Sequence, residues 1–478
     1  MPFDATRLPT TDAYDSISTQ NRDPAAARCC YLDRVFPAEQ LRIVVDKERL
    51  IVGRDRFVRV NQEPDSRISV QHFALTRSTD GWSIADLSSR NGTYINGRKL
   101  SDEGGELLED GSVIRIGDTV LVFRGGHPSD LPSAEEAQRI PGRSPSIAFV
   151  RRRLHQAAQL KAPILLLGET GTGKEFAARW IHDFSHSRNQ PFVAVNCAEL
   201  DAQLARSELF GVEKGAFTDA KVTRPGLIAQ AEDGTVFFDE LGDMDTAVQA
   251  DLLRFTQDQT YRRVGGLELR HSAARLVAAT NVHIDDAVES GAFRRDLLAR
   301  LLTIEPIQLP ALRDRREDIG DWVANFMVEN HRSLGISPKP LTAGAMESLL
   351  IYTWPENLRG LRRAVASAAL QASTSEKIDA KHLPAAIYQF RLTVRKSSRP
   401  SPPLVPVAFE PAKQIRPSRE DMITALRNTG GVVIRAAQTL HIDRRKFYRL
   451  CAAYDIFLPD YRIGRVGQTS DPPSKSST

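Results

Sequence analysis

Residues 164–174 read ILLLGETGTGK. Four apolar residues, a glycine-rich turn and a lysine lead into a helix with Phe176, Ala177, Trp180, Ile181 and Phe184 on one side. This is the pattern of a phosphate-binding loop between a buried strand and an amphipathic helix. Glycines let backbone N–H groups close around phosphate oxygens, and the helix N-terminus favours their negative charge. Gly168, Glu169, Thr170, Gly171, Thr172, Gly173 and Lys174 form the candidate cradle for ATP, with Lys174 placed to reach the β- and γ-phosphates. Such loops usually end in a Ser or Thr whose hydroxyl binds Mg2+. Here Glu175 stands in that place, so the metal work falls elsewhere. The stretch GTVFFDE (residues 234–240) is an apolar strand ending in two carboxylates. Asp239 is the candidate Mg2+ ligand, and Glu240 the group that polarises the water attacking the γ-phosphate.

Two other clusters offer anion chemistry. Near the N-terminus, Gly53-Arg54, Ser69 to His72 and SSRNGT (residues 88–93) lie between strand-like runs. The guanidinium of Arg54, the hydroxyl of Ser69, the amide of Asn91 and nearby Arg90 together suit a phosphate. His72 and the Asn91-Gly92 pair also read as structural turn residues. Near the C-terminus, Asp443 is a good N-cap for a helix carrying Arg444, Arg445, Lys446, Tyr448 and Arg449, preceded by a short turn and another helix. That is a helix-turn-helix with a basic second helix, suited to double-stranded DNA.

The elements that must hold these residues fall into a multidomain plan. The chain has 478 residues, 26% charged and 41% hydrophobic, with a formal net charge of +4. This length suits about three domains, and so mild a charge does not by itself indicate a nucleic-acid partner. The four cysteines show no metal-ligand spacing, as expected of free thiols in a cytosolic protein. The opening MPFDATRLPTTDAYD carries acids and prolines where a signal peptide would be apolar. No apolar run approaches a membrane span. The expectation is a soluble cytoplasmic protein with no membrane partner.

Residues 1–28 lack periodicity and are expected to be disordered. Residues 29–126 carry short runs (LRIVV, LIVG, HFALT, WSIADL, TYING, SVIRIG, DTVLVF) punctuated by turns, which predicts an all-β sandwich. Residues 127–141 read as a linker. Residues 142–314 alternate apolar runs (FVAV, TVFF, RLVAA, TIEPIQL) with helical segments, predicting an α/β domain whose parallel sheet is covered on both faces. Residues 315–390 read as a small helical lid, 391–417 as a basic proline-rich linker, 418–463 as an all-α helix-turn-helix, and 464–478 as a disordered tail.

Several of these segments resemble known families. The combination of GR, S-x-x-H and DLSSRNGTYING resembles the forkhead-associated (FHA) domain. That resemblance implies phosphothreonine binding, with phosphate contacts at Arg54, Ser69 and Asn91 and with Arg90 beside them. FHA domains usually carry Arg after the serine, where this chain has Val70. GETGTGKE, PFVAVNCAEL, SELFGVEKGAFTDA, GTVFFDELGDM, RRVGG, AATN and FRRDLLARL occur in this order. They resemble the AAA+ ATPase domain of sigma-54-dependent transcriptional activators, the bacterial enhancer-binding proteins. The resemblance implies a homo-oligomeric ring, a hexamer. It also implies a loop that touches sigma-54 RNA polymerase through Gly215, Ala216, Phe217, Thr218, Asp219 and Ala220. The family motif there is GAFTGA, and Asp219 replaces its last glycine.

By the same resemblance, Asn196 is the polar switch that holds Glu240 when the γ-phosphate is absent. Thr280 and Asn281 are the sensor I pair. Arg294 and Arg300 are arginine fingers supplied to the neighbouring subunit. Arg359, in WPENLRGL where the family reads WPGNVREL, is the sensor II arginine. The C-terminal helices resemble the Fis-type domain, which implies binding to an upstream DNA site. The resulting expectation is an ATP-driven transcription activator whose FHA domain senses phosphothreonine on a partner or on a neighbouring subunit. The alternative is a phospho-dependent FHA scaffold or DNA-binding repressor with a vestigial ATPase.

Overall fold

The computed structural model describes residues 29–37, 41–56, 65–101, 105–126, 128–129, 131–201, 204–216, 220–281, 284–396 and 419–428, with single positions between 433 and 456. The N-terminal part is an antiparallel β-sandwich. One sheet has six strands in the order Leu41–Val45, Cys30–Phe36, Thr119–Gly125, Val113–Ile116, Thr93–Ile95, Arg98–Lys99. The other has four: Arg49–Val52, Phe73–Ser78, Gly81–Asp86 and Glu106–Leu107. Their inner faces meet through Leu32, Ile43, Val52, Phe73, Leu75, Ile84, Ile114, Leu121 and Phe123. The expected runs all appear. The strand Cys30–Phe36 was not anticipated, because Asp33 and Arg34 interrupt its apolar pattern. Asp33 is buried against Arg42, whose Nε donates to it at 2.6 Å.

The sandwich is not a free-standing module. Along Thr119–Gly125, Leu121 and Phe123 face the sandwich core, while Val120 and Val122 face the other way. With Val35 and Val113 these valines join a second core containing Ile319, Trp322, Val323, Leu350 and Ile351 of the lid. Gly320 is needed at this contact, since a Cβ there would lie 2.6 Å from Val35 Cγ1. A strand buried on both faces loses its polar alternation, and the run TVLVF carries that signature. Sandwich, ATPase and lid therefore form one compact unit, and residues 405–478 form another.

The ATPase sheet is parallel, in the order Phe192–Asn196, Thr235–Asp239, Arg275–Thr280, Ile164–Leu167, Ile307–Gln308. Helices Pro145–Ala158 and Lys174–Asp183 cover one face, and Thr246–Asp258 and Arg295–Leu301 the other. The last strand keeps only two residues of the expected TIEPIQL run.

Two linker expectations are corrected. Helix Ala134–Arg139 lies inside 127–141, opened by a capping box between Ser133 and Glu136. The lid has a fourth helix, Ala385–Lys396, which runs past residue 390 into the expected linker. Its apolar side, with Ile387 and Phe390, packs on the lid core, and its basic residues make ion pairs: Arg391 lies 3.6 Å from the buried Glu347. Arg391, Arg395 and Lys396 give the end of this helix the composition of a linker and mask its helical spacing.

In the C-terminal unit, helix Arg419–Asn428 buries Met422, Ala425 and Leu426 with Ala437, Phe447 and Cys451. Arg444, Arg445, Lys446, Tyr448 and Arg449 lie outside the described residues, as do Phe217, Thr218 and Asp219.

Candidate nucleotide and phosphate sites

The carboxyl ends of the parallel strands meet the N-terminus of helix Lys174–Asp183, the usual crevice for ligands in such sheets. Gly171 (φ +77°) and Gly173 (φ +107°) take backbone conformations that other residues adopt at a cost. A Cβ on Gly171 would also lie 2.4 Å from the Glu356 carbonyl. Lys174 is buried, and its Nζ donates to the Gly168 carbonyl at 3.1 Å and lies 3.5 Å from Glu240 Oε1.

Strand Thr235–Asp239 delivers Asp239 to the same end. Burial raises the Asp239 pKa against the opposing pull of Lys174. Glu240 follows in a left-handed turn (φ 52°), and its Oε2 accepts the Asn281 backbone N–H at 3.1 Å. Asn281 Nδ2 donates to Thr170 Oγ1 at 2.8 Å, so the end of strand Arg275–Thr280 is tied both to the carboxylate and to the loop. Thr280 is fully buried.

Asn196 stands beside Asp239 in the sheet register, but its amide does not hold Glu240. It donates to Glu199 Oε1 at 2.7 Å and accepts the Ala198 N–H, because Asn196 caps a single turn at the strand end. Glu175 is exposed and pairs with Arg179 one helical turn on. Arg294 pairs with Asp296, and Arg300 donates to the Thr256 carbonyl at 3.1 Å. Neither of these contacts reaches the glycine loop. Arg359 is exposed, with its Cβ close against Gly171.

Three loop-holding residues were not anticipated. Arg313 forks onto Glu169 at 2.6 and 2.9 Å, and its hydrogen bonds lower the Glu169 pKa. Arg315 donates to the Thr172 carbonyl at 2.7 Å. Asn357, buried, donates to Glu169 Oε2 and to the Thr170 carbonyl and accepts the Leu312 N–H at 2.8 Å. The one sequence signal is the Asn of WPENLRGL, at the place where WPGNVREL also has Asn.

At the neck of the loop expected to touch sigma-54, Gly211–Val212 pairs with Arg224–Pro225, and the Gly215 N–H donates to the Ala220 carbonyl at 2.8 Å. Ala216 packs against Gly265, where a Cβ would lie 2.5 Å away.

The sandwich brings its four expected residues to one end. Arg54 Nε donates to the Ile68 carbonyl at 2.8 Å, the Arg90 N–H to Ser69 Oγ at 3.1 Å, and Asn91 Nδ2 to the Arg67 carbonyl at 2.7 Å. His72 is fully buried beneath them. Its Nδ1 accepts the Ser69 N–H, so Nε2 carries the hydrogen and donates to the Gly92 carbonyl. Asp86 accepts from Ser89 N–H, Ser89 Oγ and Thr93 Oγ1, which shapes the turn before Asn91.

The Sigma-54 interaction domain family matches residues 140–307, the FHA domain residues 50–117, and the AAA+ ATPase lid domain residues 313–399. The transcriptional regulatory protein ZraR of Salmonella typhimurium is 37% identical over 325 residues, covering 66% of this chain and 69% of ZraR. The chain belongs to the sigma-54-dependent transcriptional activators. XylR of Pseudomonas putida, also a transcriptional regulatory protein, is 41% identical over 242 residues, and the chain spans only 43% of its length. The crystal structure of NtrX from Brucella abortus in complex with ATP is 31% identical and covers 66% of this chain and 69% of that one, with a TM-score of 0.47.

In this activator no described helix is long and apolar enough to cross a membrane. Nor do the described residues gather three acidic, His or Cys ligands around one point. At the ATP site the carboxylates present are Asp239 and Glu240, of which Asp239, at the strand end, is the candidate ligand. That suits Mg2+, which takes one or two carboxylates and completes its shell with water and phosphate oxygens.

Proposed function

We propose that this activator hydrolyses ATP in a homo-oligomeric ring, a hexamer, and spends the energy on remodelling sigma-54 RNA polymerase so that promoters open. The observation that carries the reading is the meeting of Lys174, Glu240 and Asn281 at the glycine loop. The N–H groups of residues 168–174 bind the phosphates, and Lys174 exchanges the Gly168 carbonyl and Glu240 for the β- and γ-phosphates. Glu240, freed from Lys174, polarises the attacking water, while the Asn281 N–H orients its carboxylate. Asp239 would hold Mg2+, which when bound would supply positive charge to the phosphate oxygens. Arg359 reaches the nucleotide from the lid. Arg294 and Arg300 act across the subunit boundary on the neighbour's phosphates, where guanidinium charge stabilises the transferring group. In the hydrolysed state Asn196 leaves Glu199 and takes Glu240 instead.

Phe217 and Thr218, at the tip of the loop spanning Gly215 to Ala220, contact the polymerase. The helix with Arg444, Arg445, Lys446, Tyr448 and Arg449 binds double-stranded DNA upstream. Arg54, Ser69, Arg90 and Asn91 bind a phosphothreonine protein or a neighbouring subunit. The test is open-complex formation in vitro with sigma-54 RNA polymerase and ATP. The wild-type chain is expected to open the promoter, and Phe217→Ala to hydrolyse ATP without opening it. If the concentrated wild-type chain hydrolyses no ATP, the scaffold or repressor reading replaces this one.

A further inference from the structure

Residues 312–318 run as two consecutive single turns between the sandwich and the P-loop, and they hold both. On the P-loop side are Arg313 against Glu169 and Arg315 against the Thr172 carbonyl. On the sandwich side, Arg124 forks onto Glu317 at 2.9 and 2.6 Å and donates to the Asp314 carbonyl at 2.8 Å. Arg316 donates back to the Gly111 carbonyl of the sandwich at 3.1 Å. Glu317 is fully buried. Burial lowers the Arg124 pKa, but Glu317 and Asp110 overcome it and hold the guanidinium well above its usual value. At the segment's end, the buried Asp318 accepts the Arg143 and Ser144 N–H groups and the Ser144 hydroxyl, each at 2.7 Å.

A buried ion pair is costly to break, because the remaining charge has no partner. The segment is thus pinned from the sandwich side at three points: Glu317, the Asp314 carbonyl and Arg316. Those points interleave with the two arginines that hold the loop.

We propose that Arg124 of the FHA sandwich is a positioning residue for the ATP site, fixing Arg313 and Arg315 on the P-loop by clamping Glu317 and the Asp314 carbonyl. This rests on the ATP-site reading above. The sandwich is then a structural part of the ATPase as well as a sensor. By linkage, a ligand that shifts the sandwich on the lid changes nucleotide affinity, and nucleotide changes affinity for that ligand in equal measure.

The test uses the full chain and a fluorescent ATP analogue, with steady-state KM and kcat alongside. Arg124→Met is expected to raise Kd and KM by roughly three- to thirtyfold, the range of long-range coupling, and to change kcat much less. Arg124→Lys, which keeps the charge but not the fork, is expected to recover part of the loss. The double variant Arg124→Met/Glu317→Leu removes both buried charges and so keeps the fold if Arg124→Met alone does not. It too should bind the analogue weakly, because the clamp on the Asp314 carbonyl is gone. A merely structural ion pair would shift the thermal midpoint without splitting KM from kcat. Analogue affinity and KM within twofold of wild type in the folded double variant would overturn the proposal. A wild-type chain that fails to bind the analogue overturns the ATP-site reading itself.

Discussion

Glu240→Gln separates chemistry from scaffolding at the ATP site. The carboxylate makes two contacts in the chain: Oε1 lies 3.5 Å from Lys174 Nζ, and Oε2 accepts the Asn281 N–H at 3.1 Å. An amide of the same shape keeps the second contact through its oxygen. It loses the first, but Lys174 still has Asp239 as a neighbouring charge. Lys174 is buried, but the contact is long and the Gly168 carbonyl and the Asp239 charge remain, so the stability change is expected to be about 1.5 kcal/mol, the low end for a hydrogen bond to a charged group. The change in rate is expected to be far larger. A group that polarises the attacking water is worth roughly 10²–10⁴ in kcat, or about 3–5 kcal/mol of barrier. The assay is phosphate release at protein concentrations where rings form, paired with a nucleotide-binding titration. Binding within about threefold of wild type and kcat down at least a hundredfold is the outcome expected from these contacts. Turnover within threefold of wild type would refute the role given to Glu240. A parallel collapse of binding would show that the carboxylate serves chiefly to hold Lys174 and the loop.

Other perturbations follow from the same contacts. Arg54→Ala is expected to weaken binding of a phosphothreonine peptide by about tenfold or more, since hydrogen bonds to charged groups are worth ~1.5–3 kcal/mol; fluorescence polarisation against the unphosphorylated peptide checks it. Burial lowers the His72 pKa below the ordinary 6.5. As pH falls below 6.5 the unfolded chain takes up a proton that the folded imidazole refuses, so sandwich stability is full above that value and drops toward the lower folded pKa. A histidine NMR titration showing His72 protonated at or above pH 6.5 would contradict this. Asn357→Ala leaves the buried Leu312 N–H without its acceptor and is expected to cost about 1–3 kcal/mol, read as a lower denaturation midpoint of the first compact unit. Gly53→Ala would place a Cβ 1.7 Å from the Val70 carbonyl. It is expected to abolish phosphopeptide binding by displacing the Ser69 loop, seen as altered amide shifts around Ser69 and Arg90.

Much of this activator is written locally. The glycine loop, the acidic strand end and AATN are legible because close backbone approach, left-handed turns and alternating strand and helix periods each require particular residues at fixed spacing. The same holds for Arg54, Ser69 and Asn91, whose loops follow turn chemistry. The sequence alone also determined the order of sandwich, ATPase and lid. What only the tertiary structure decided is which groups meet across long separations. Glu240 is held by the Asn281 N–H and not by Asn196, because strand-end geometry turns Asn196 onto its own capping turn. Arg313 reaches Glu169 across 144 residues, and Arg124 reaches Glu317 across 193. Neither pair leaves a periodic trace, since each partner sits in an irregular segment or reads as an ordinary surface charge. The docking of sandwich on lid was equally hidden. A strand with apolar residues on both faces announces that something covers it, but only the packed chain shows what.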